Sequence, residues 1–111
     1  MFFDIRAINF GLSPALTDHV QRRLTRALDR FDRRVDSVHV RLSDLNGPKG
    51  GVDMQCHVQV NLNHSGTVFI HQVHEDIYSA IDRAATRLKR TVRRRINRRR
   101  DAKKERRSPA G

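Results

Sequence analysis

The apolar residues of this chain change their spacing three times, and the order of the periods leaves few folds open. In "FFDIRAINF", Phe3, Ile5 and Ala7 alternate with Asp4 and Arg6, the period of a half-buried strand that Gly11 ends. The period then becomes helical in "LSPALTDHVQRRLTRALDRF", where Leu16, Val20, Leu24, Ala27, Leu28 and Phe31 form one stripe. Ser13 suits the N-cap, Pro14 the first helical position and Asp18 the first turn, so the spacing predicts a helix from about Pro14 to Phe31. Period two returns in "VDSVHVRL" from Val35, again through "VDMQCHVQVNL" from Val52, and again in "TVFIHQV" from Thr67. The glycine-rich "NGPKGG" and the turn "NHSG" separate these runs. Last comes "HEDIYSAIDRAATRLKR", in which Glu75 or Asp76 can cap a helix whose stripe is Ile77, Ile81, Ala84, Ala85, Leu88 and Val92. This helix is expected to run from near Asp76 to Ile96.

The order strand, helix, strand, strand, strand, helix predicts an α+β domain. The helical crossover joins two parallel strands and the short later loops make antiparallel hairpins. A four-stranded mixed sheet then buries one face beneath two helices and leaves the other face more polar. With 111 residues there is room for one core and no sign of a repeat or second domain. The expected layout is a folded unit over 1–98 and a basic, disordered tail over 99–111, since 101–111 offers no apolar stripe to offset ordering entropy.

Charge is placed as unevenly as hydrophobicity is placed evenly. Between Arg83 and Arg107 there are 14 arginines and lysines against Asp101 and Glu105, so the last quarter of the chain carries the whole formal charge of +11. A field that concentrated points to a polyanionic partner. On a helical wheel Arg83, Arg87, Arg90, Arg94 and Arg98 fall in one stripe opposite Ile77, Leu88 and Val92. Arg95 and Arg99 fall back on the apolar side, so the packed part of the helix should finish near Val92 or Ile96. The first helix carries Arg22, Arg26, Arg30 and Arg33 on a flank away from Leu24 and Phe31, partly balanced by Asp18 and Asp29 at i,i+4 spacing. The second helix has no acids between Arg83 and Arg100. Guanidinium groups donate paired hydrogen bonds to phosphate, so the second stripe reads as a phosphate-binding face.

Other chemistries fit poorly. Cys56, His57, His64, His71 and His74 lack the paired spacings of a structural zinc site, and Cys56 and His57 point to opposite faces of a strand, so no metal or cofactor is expected. "GPKGG" lacks the spacing and the Lys-Ser/Thr of a P-loop, and no nucleophile-elbow sequence occurs. The chain does not read as an enzyme, and no small-molecule substrate is expected. No apolar run approaches the ~20 residues of a membrane span, and Met1 leads into alternating residues where a signal peptide would have an apolar run. A cytoplasmic protein, monomeric when free and not bound to membrane, is the expectation.

"HEDIYSAID" and "LSPALTDHVQRRL", in this order of elements, resemble the short ribosome hibernation-promoting factors, also called ribosome-associated inhibitor or ribosomal subunit interface proteins. The resemblance covers roughly Phe2 to Arg98. It implies a stress or stationary-phase factor that sits on the small ribosomal subunit where messenger and the A- and P-site transfer RNAs would lie, and blocks translation by occupancy. By position, the residues that it implies for contact with ribosomal RNA are Arg22, Arg23, Arg26 and Arg30 in the first helix. In the second they are Arg87, Arg90, Arg94 and Arg98, with Arg83 added from the wheel alone. The tail is basic where some short relatives are acidic, and the extra C-terminal domain of the long forms has no counterpart here, so pairing ribosomes and holding them single both stay open. A general structured-RNA-binding module is the alternative.

Overall fold

The structure is a computed structural model that describes residues 1–45 and 53–107, with the side chains of Arg99 and of 101–107 outside the description. The glycine-rich loop expected at 46–51 lies outside the described residues, as do 108–111. The elements are β1 (Phe2–Ile8), α1 (Pro14–Leu28), a 3-10 segment (Asp29–Arg34), β2 (Val35–Asp44), β3 (Met54–Leu62), β4 (Gly66–His74) and α2 (Ile77–Arg107). They form a sheet of order β1-β2-β3-β4, in which β1 pairs parallel with β2 and the other neighbours are antiparallel. The architecture is the α+β arrangement that the periods predict.

The caps and turns explain the element boundaries. Ser13 has extended backbone angles, and its hydroxyl accepts from the Leu16 N–H at 3.1 Å, with Pro14 opening α1. Asp18, expected in the first turn, lies beyond it; its carboxylate instead meets Arg22 at 2.8 Å, one turn on. The α-helix also stops short of Phe31, because Phe31 takes non-helical angles within the 3-10 segment and packs half-buried against the core. The tighter winding turns that ring inward while the chain leaves for β2. At the other helix Asp76 is the cap: its carboxylate accepts from the N–H groups of Tyr78 and Ser79 and from the Ser79 hydroxyl. The β3–β4 turn puts His64 and Gly66 at φ 64° and 78°, a left-handed region that costs glycine least.

One face of the sheet is the core. Val38, Val40 and Leu42 of β2, Cys56, Val58, Val60 and Leu62 of β3, and Val68 and Ile70 of β4 are all buried. Onto them pack Leu16, Val20, Leu24, Ala27 and Leu28 of α1 and the stripe from Ala80 to Ile96 of α2. Ala80, Ala84 and Ala85 are fully covered, and such small side chains allow a helix to approach its neighbours closely. Cys56 is a core side chain as expected, and burial pushes its thiol up to about 12, far from a reactive thiolate.

Ile96 is the last buried residue of α2 among the described residues, which places the end of the packed part where the wheel puts it. The helical backbone nevertheless continues to Arg107, past the expected end near Ile96. That continuation is about 16 Å of helix at 1.5 Å per residue, and it contributes to a molecule 65 Å long but only 23 by 16 Å across. A run rich in arginine and lysine favours helix intrinsically, so an apolar stripe is not required for the backbone to propagate. Of the tail expected to be disordered, 99–107 has helical backbone and 108–111 lies outside the described residues.

Candidate nucleic-acid interface

The two helices are held in register by a polar contact at one end of their shared groove. Two antiparallel steps make β4 parallel to β1, and each helix follows its strand back over the sheet, so α1 and α2 run in the same direction. Near their starts Asp82 of α2 accepts from Arg23 Nε at 2.9 Å and lies 2.8 Å from His19 Nε2, while Arg23 also donates to the Asp82 carbonyl. His19 meets Tyr78 edge-on at 4.9 Å. Burial pushes the Asp82 carboxyl up, but the bonds and charges of Arg23 and His19 outweigh it and leave it below the usual carboxylate range.

This contact stabilises the fold above the ordinary carboxylate value of about 4 and is lost as pH falls through the lowered folded value. Asp82→Asn should therefore lower Tm at pH 7 relative to wild type, with the gap narrowing as pH drops below about 4. The carboxylate is nearly half exposed, so solvent screening keeps the loss to about 1 kcal/mol or less. Melting curves from pH 7 to pH 3 check it, and a constant gap would show that the contact is not ionic.

Arg23 is thus a helix-joining residue in the free protein, although the resemblance implied an RNA contact. Arg22, Arg26 and Arg30 are exposed, with Arg22 partnered by Asp18. Asp29, the other acid expected to balance α1, makes no ion pair with Arg33. On α2, Arg83, Arg87, Arg90, Arg94 and Arg98 are all exposed along one side of the helix. Arg87 is also engaged: its Nη1 donates to the His71 carbonyl at 2.7 Å and to Gln72 Oε1 at 3.0 Å. Half-buried Arg95, which the wheel places on the apolar side, donates to the carbonyls of Ser65 and Thr67 at 3.2 and 3.3 Å. Thr67 and His71 are odd-numbered positions along edge strand β4, whose carbonyls turn to the side with no neighbouring strand, and Ser65 lies in the turn that leads into it. Two arginines of α2 therefore close the open edge of the sheet.

The wheel left out Lys89 and Arg93. Asp82 identifies the flank of α2 that faces α1, and Lys89 and Arg93 follow it two and three turns later on that flank, both exposed. They extend the α2 stripe toward the side of Arg26 on α1 and of Arg30, which the structure places in the 3-10 segment. The signal was present in the sequence, but without knowing where α1 lay nothing distinguished this flank from any other charged face. The assembled surface is a broad, predominantly basic layer of guanidinium and ammonium groups on the helical side of the sheet, interrupted by Asp18 and Asp29 on the α1 side and suited along α2 to a phosphate backbone.

The family model described as "Sigma 54 modulation protein / S30EA ribosomal protein" matches residues 3–100. The ribosome hibernation promotion factor of Bacillus subtilis is 36% identical over 95 residues, which cover 84% of this chain and 47% of that protein. This chain therefore spans about half the length of that curated relative. Among solved structures, the Thermus thermophilus Protein Y N-terminal domain superposes with a TM-score of 0.70 at 29% identity, covering 85% of this chain and 98% of the other. A ribosomal subunit interface protein from Coxiella burnetii gives 0.73 at 17% identity, covering 85% and 96%, a likeness that speaks to the fold alone.

Proposed function

Because the chain belongs to the Sigma 54 modulation protein / S30EA ribosomal protein family, we propose that it is a cytoplasmic ribosome hibernation factor. It docks its helical face on ribosomal RNA of the small subunit, in the channel used by messenger and transfer RNA, and blocks translation by occupancy under stress or in stationary phase. It performs no catalytic step. The observation that carries this reading is the exposed row Arg83, Arg90, Arg94 and Arg98, which has no partner among the described residues and no acid in the sequence between Arg83 and Arg100. Such a row is costly in self-repulsion unless a polyanion neutralises it. Arg22, Arg26 and Arg30 extend the contact. Arg23 and Arg87 can join it only by giving up bonds within the protein. Residues 101–111 add an auxiliary contact whose removal weakens binding less than loss of the row.

Purified protein should cosediment with small subunits at physiological salt, and prebound messenger and transfer RNA should displace it. Equal affinity for an unrelated RNA duplex under the same conditions would replace this reading with that of a general structured-RNA-binding module. The free protein should elute as a monomer.

A further inference from the structure

The face of the sheet turned away from the helices is not an inert polar surface. Cross-strand pairing brings Arg6, Arg41, His57 and His71 into one row across all four strands. His57 and His71 stack face to face, with ring centroids 4.3 Å apart and planes within 6°. The adjacent row is Asp4, His39, Gln59 and Phe69, whose register partners again run from edge to edge. Together the two rows line a shallow concavity of about 570 Å³.

Two properties of this surface select a ligand. The first is charge. Burial, then His71 and Arg41, lower the His57 pKa and favour its neutral imidazole, so exposed Arg41, which has no ion-pair partner among the described residues, is the fixed positive charge in the middle of the row with ring N–H groups beside it. Asp4 sits at the β1 end, where Arg6 at 3.3 Å and His39 at 3.5 Å occupy it. The second is aromatic exposure. Phe69 stands 71% exposed at the β4 end of the second row, an unusual position for a phenyl ring on a sheet whose other face is fully packed. Phe2 is 62% exposed near the opposite edge and meets His39 edge-on at 6.4 Å. Rings that stack bases, next to a guanidinium and imidazole N–H groups that can hold a phosphate, are the two elements of single-strand recognition. A duplex, whose bases are already stacked, would leave the rings unused.

We propose that this open face is a second RNA surface that takes unpaired nucleotides, with a base stacked on Phe69 and the adjoining phosphate over Arg41, His57 and His71. Rows lie about 7 Å apart along the strands, comparable to the phosphate spacing of an extended strand, so two or three nucleotides span the concavity. The site is on the opposite side of the sheet from the helical interface, and the two can be occupied together. Gln59, between His39 and Phe69, offers an amide to a base edge, although its Nε2 is already held by Asn61 Oδ1 at 3.2 Å.

The test is titration of the full chain, labelled for NMR, with a six-nucleotide oligouridine and separately with an RNA duplex. The single strand should shift the resonances of Arg41, His57, Phe69 and His71, whereas the duplex should shift those of α1 and α2 alone. Phe69→Ala removes an exposed ring and should leave the fold intact. It should weaken the oligouridine shifts on this face about tenfold, within the range known for loss of one stacked base, and Phe69→Trp should restore them. Shifts confined to the helices, or a Phe69→Ala variant that binds oligouridine on this face as wild type does, would overturn the proposal. So would concentration-dependent shifts at Phe69 without RNA, which would make the face a contact between copies of the protein. No ribosome enters this titration, so its failure leaves the reading of the helical face standing.

Discussion

Changing Arg83, Arg90 and Arg94 together to glutamine should flatten the salt dependence of RNA binding and leave the fold unchanged. Each guanidinium that meets a phosphate releases condensed counterions, so with about six contacts the logarithm of affinity falls against that of salt with a slope of magnitude about 4 to 5. Removing three contacts should reduce the slope by about two to three units, a loss of about 100- to 1000-fold at 0.1 M salt relative to 1 M. These three are the informative choice because they have no partner among the described residues, whereas Arg87 is bonded to His71 and Gln72 and its loss would disturb the sheet edge as well. The variant's Tm should stay within a few degrees of wild type. Filter binding or anisotropy at four salt concentrations reads the slope, and an unchanged slope would mean that the row is only a solvated face.

Leu88→Ala should produce the reverse pattern, a large loss of stability with the charged surface chemically untouched. Leu88 is fully buried on the core face of α2, two turns from both Ile81 and Ile96, where truncation leaves a cavity that neighbours fill only in part. Such losses run about 2 to 5 kcal/mol, against a total stability of about 5 to 15 kcal/mol for a domain of this class. A Tm lower by about 10 to 20 °C is expected, with Leu88→Met costing less than about 1.5 kcal/mol. Thermal and urea melts check both. If Leu88→Ala melts as wild type does, the packing of α2 on the sheet is not what holds the domain together.

The alternation of periods contained the topology, because burial on one face must repeat every second residue in a strand and every three to four in a helix. The wheel likewise found the α2 row and the place where its packing ends, since both follow from the same 100° step. Where one residue does two jobs, the pattern was silent. Arg23 and Arg87 read as surface charges on their own helices, and only the fold reveals that Asp82 and the β4 carbonyls are within their reach. Phe31 had the right spacing but the wrong backbone, because a helical stripe does not report where the winding tightens. The exposed Phe69 alternates like a core residue's neighbour, and sequence periodicity cannot say that one face of a sheet stays uncovered.

The arginines that close β4 also bear on how such a protein keeps to itself. An edge strand presents a ladder of free carbonyl and N–H groups, and with Phe69 and Val73 exposed on it, β4 is the kind of edge onto which a strand of another molecule could zip. Proteins commonly block this with a lysine or proline in the strand itself, and β4 has neither. Here the guard comes from the next element: Arg87 and Arg95 reach over from α2 and occupy two of the outward carbonyls of β4 and that of Ser65 in the turn before it, adding positive charge where a second copy, also cationic, would have to approach. Solubility is thereby tied to the docking of α2, and anything that draws Arg87 away to a phosphate leaves the strand edge half unguarded while the polyanion is bound.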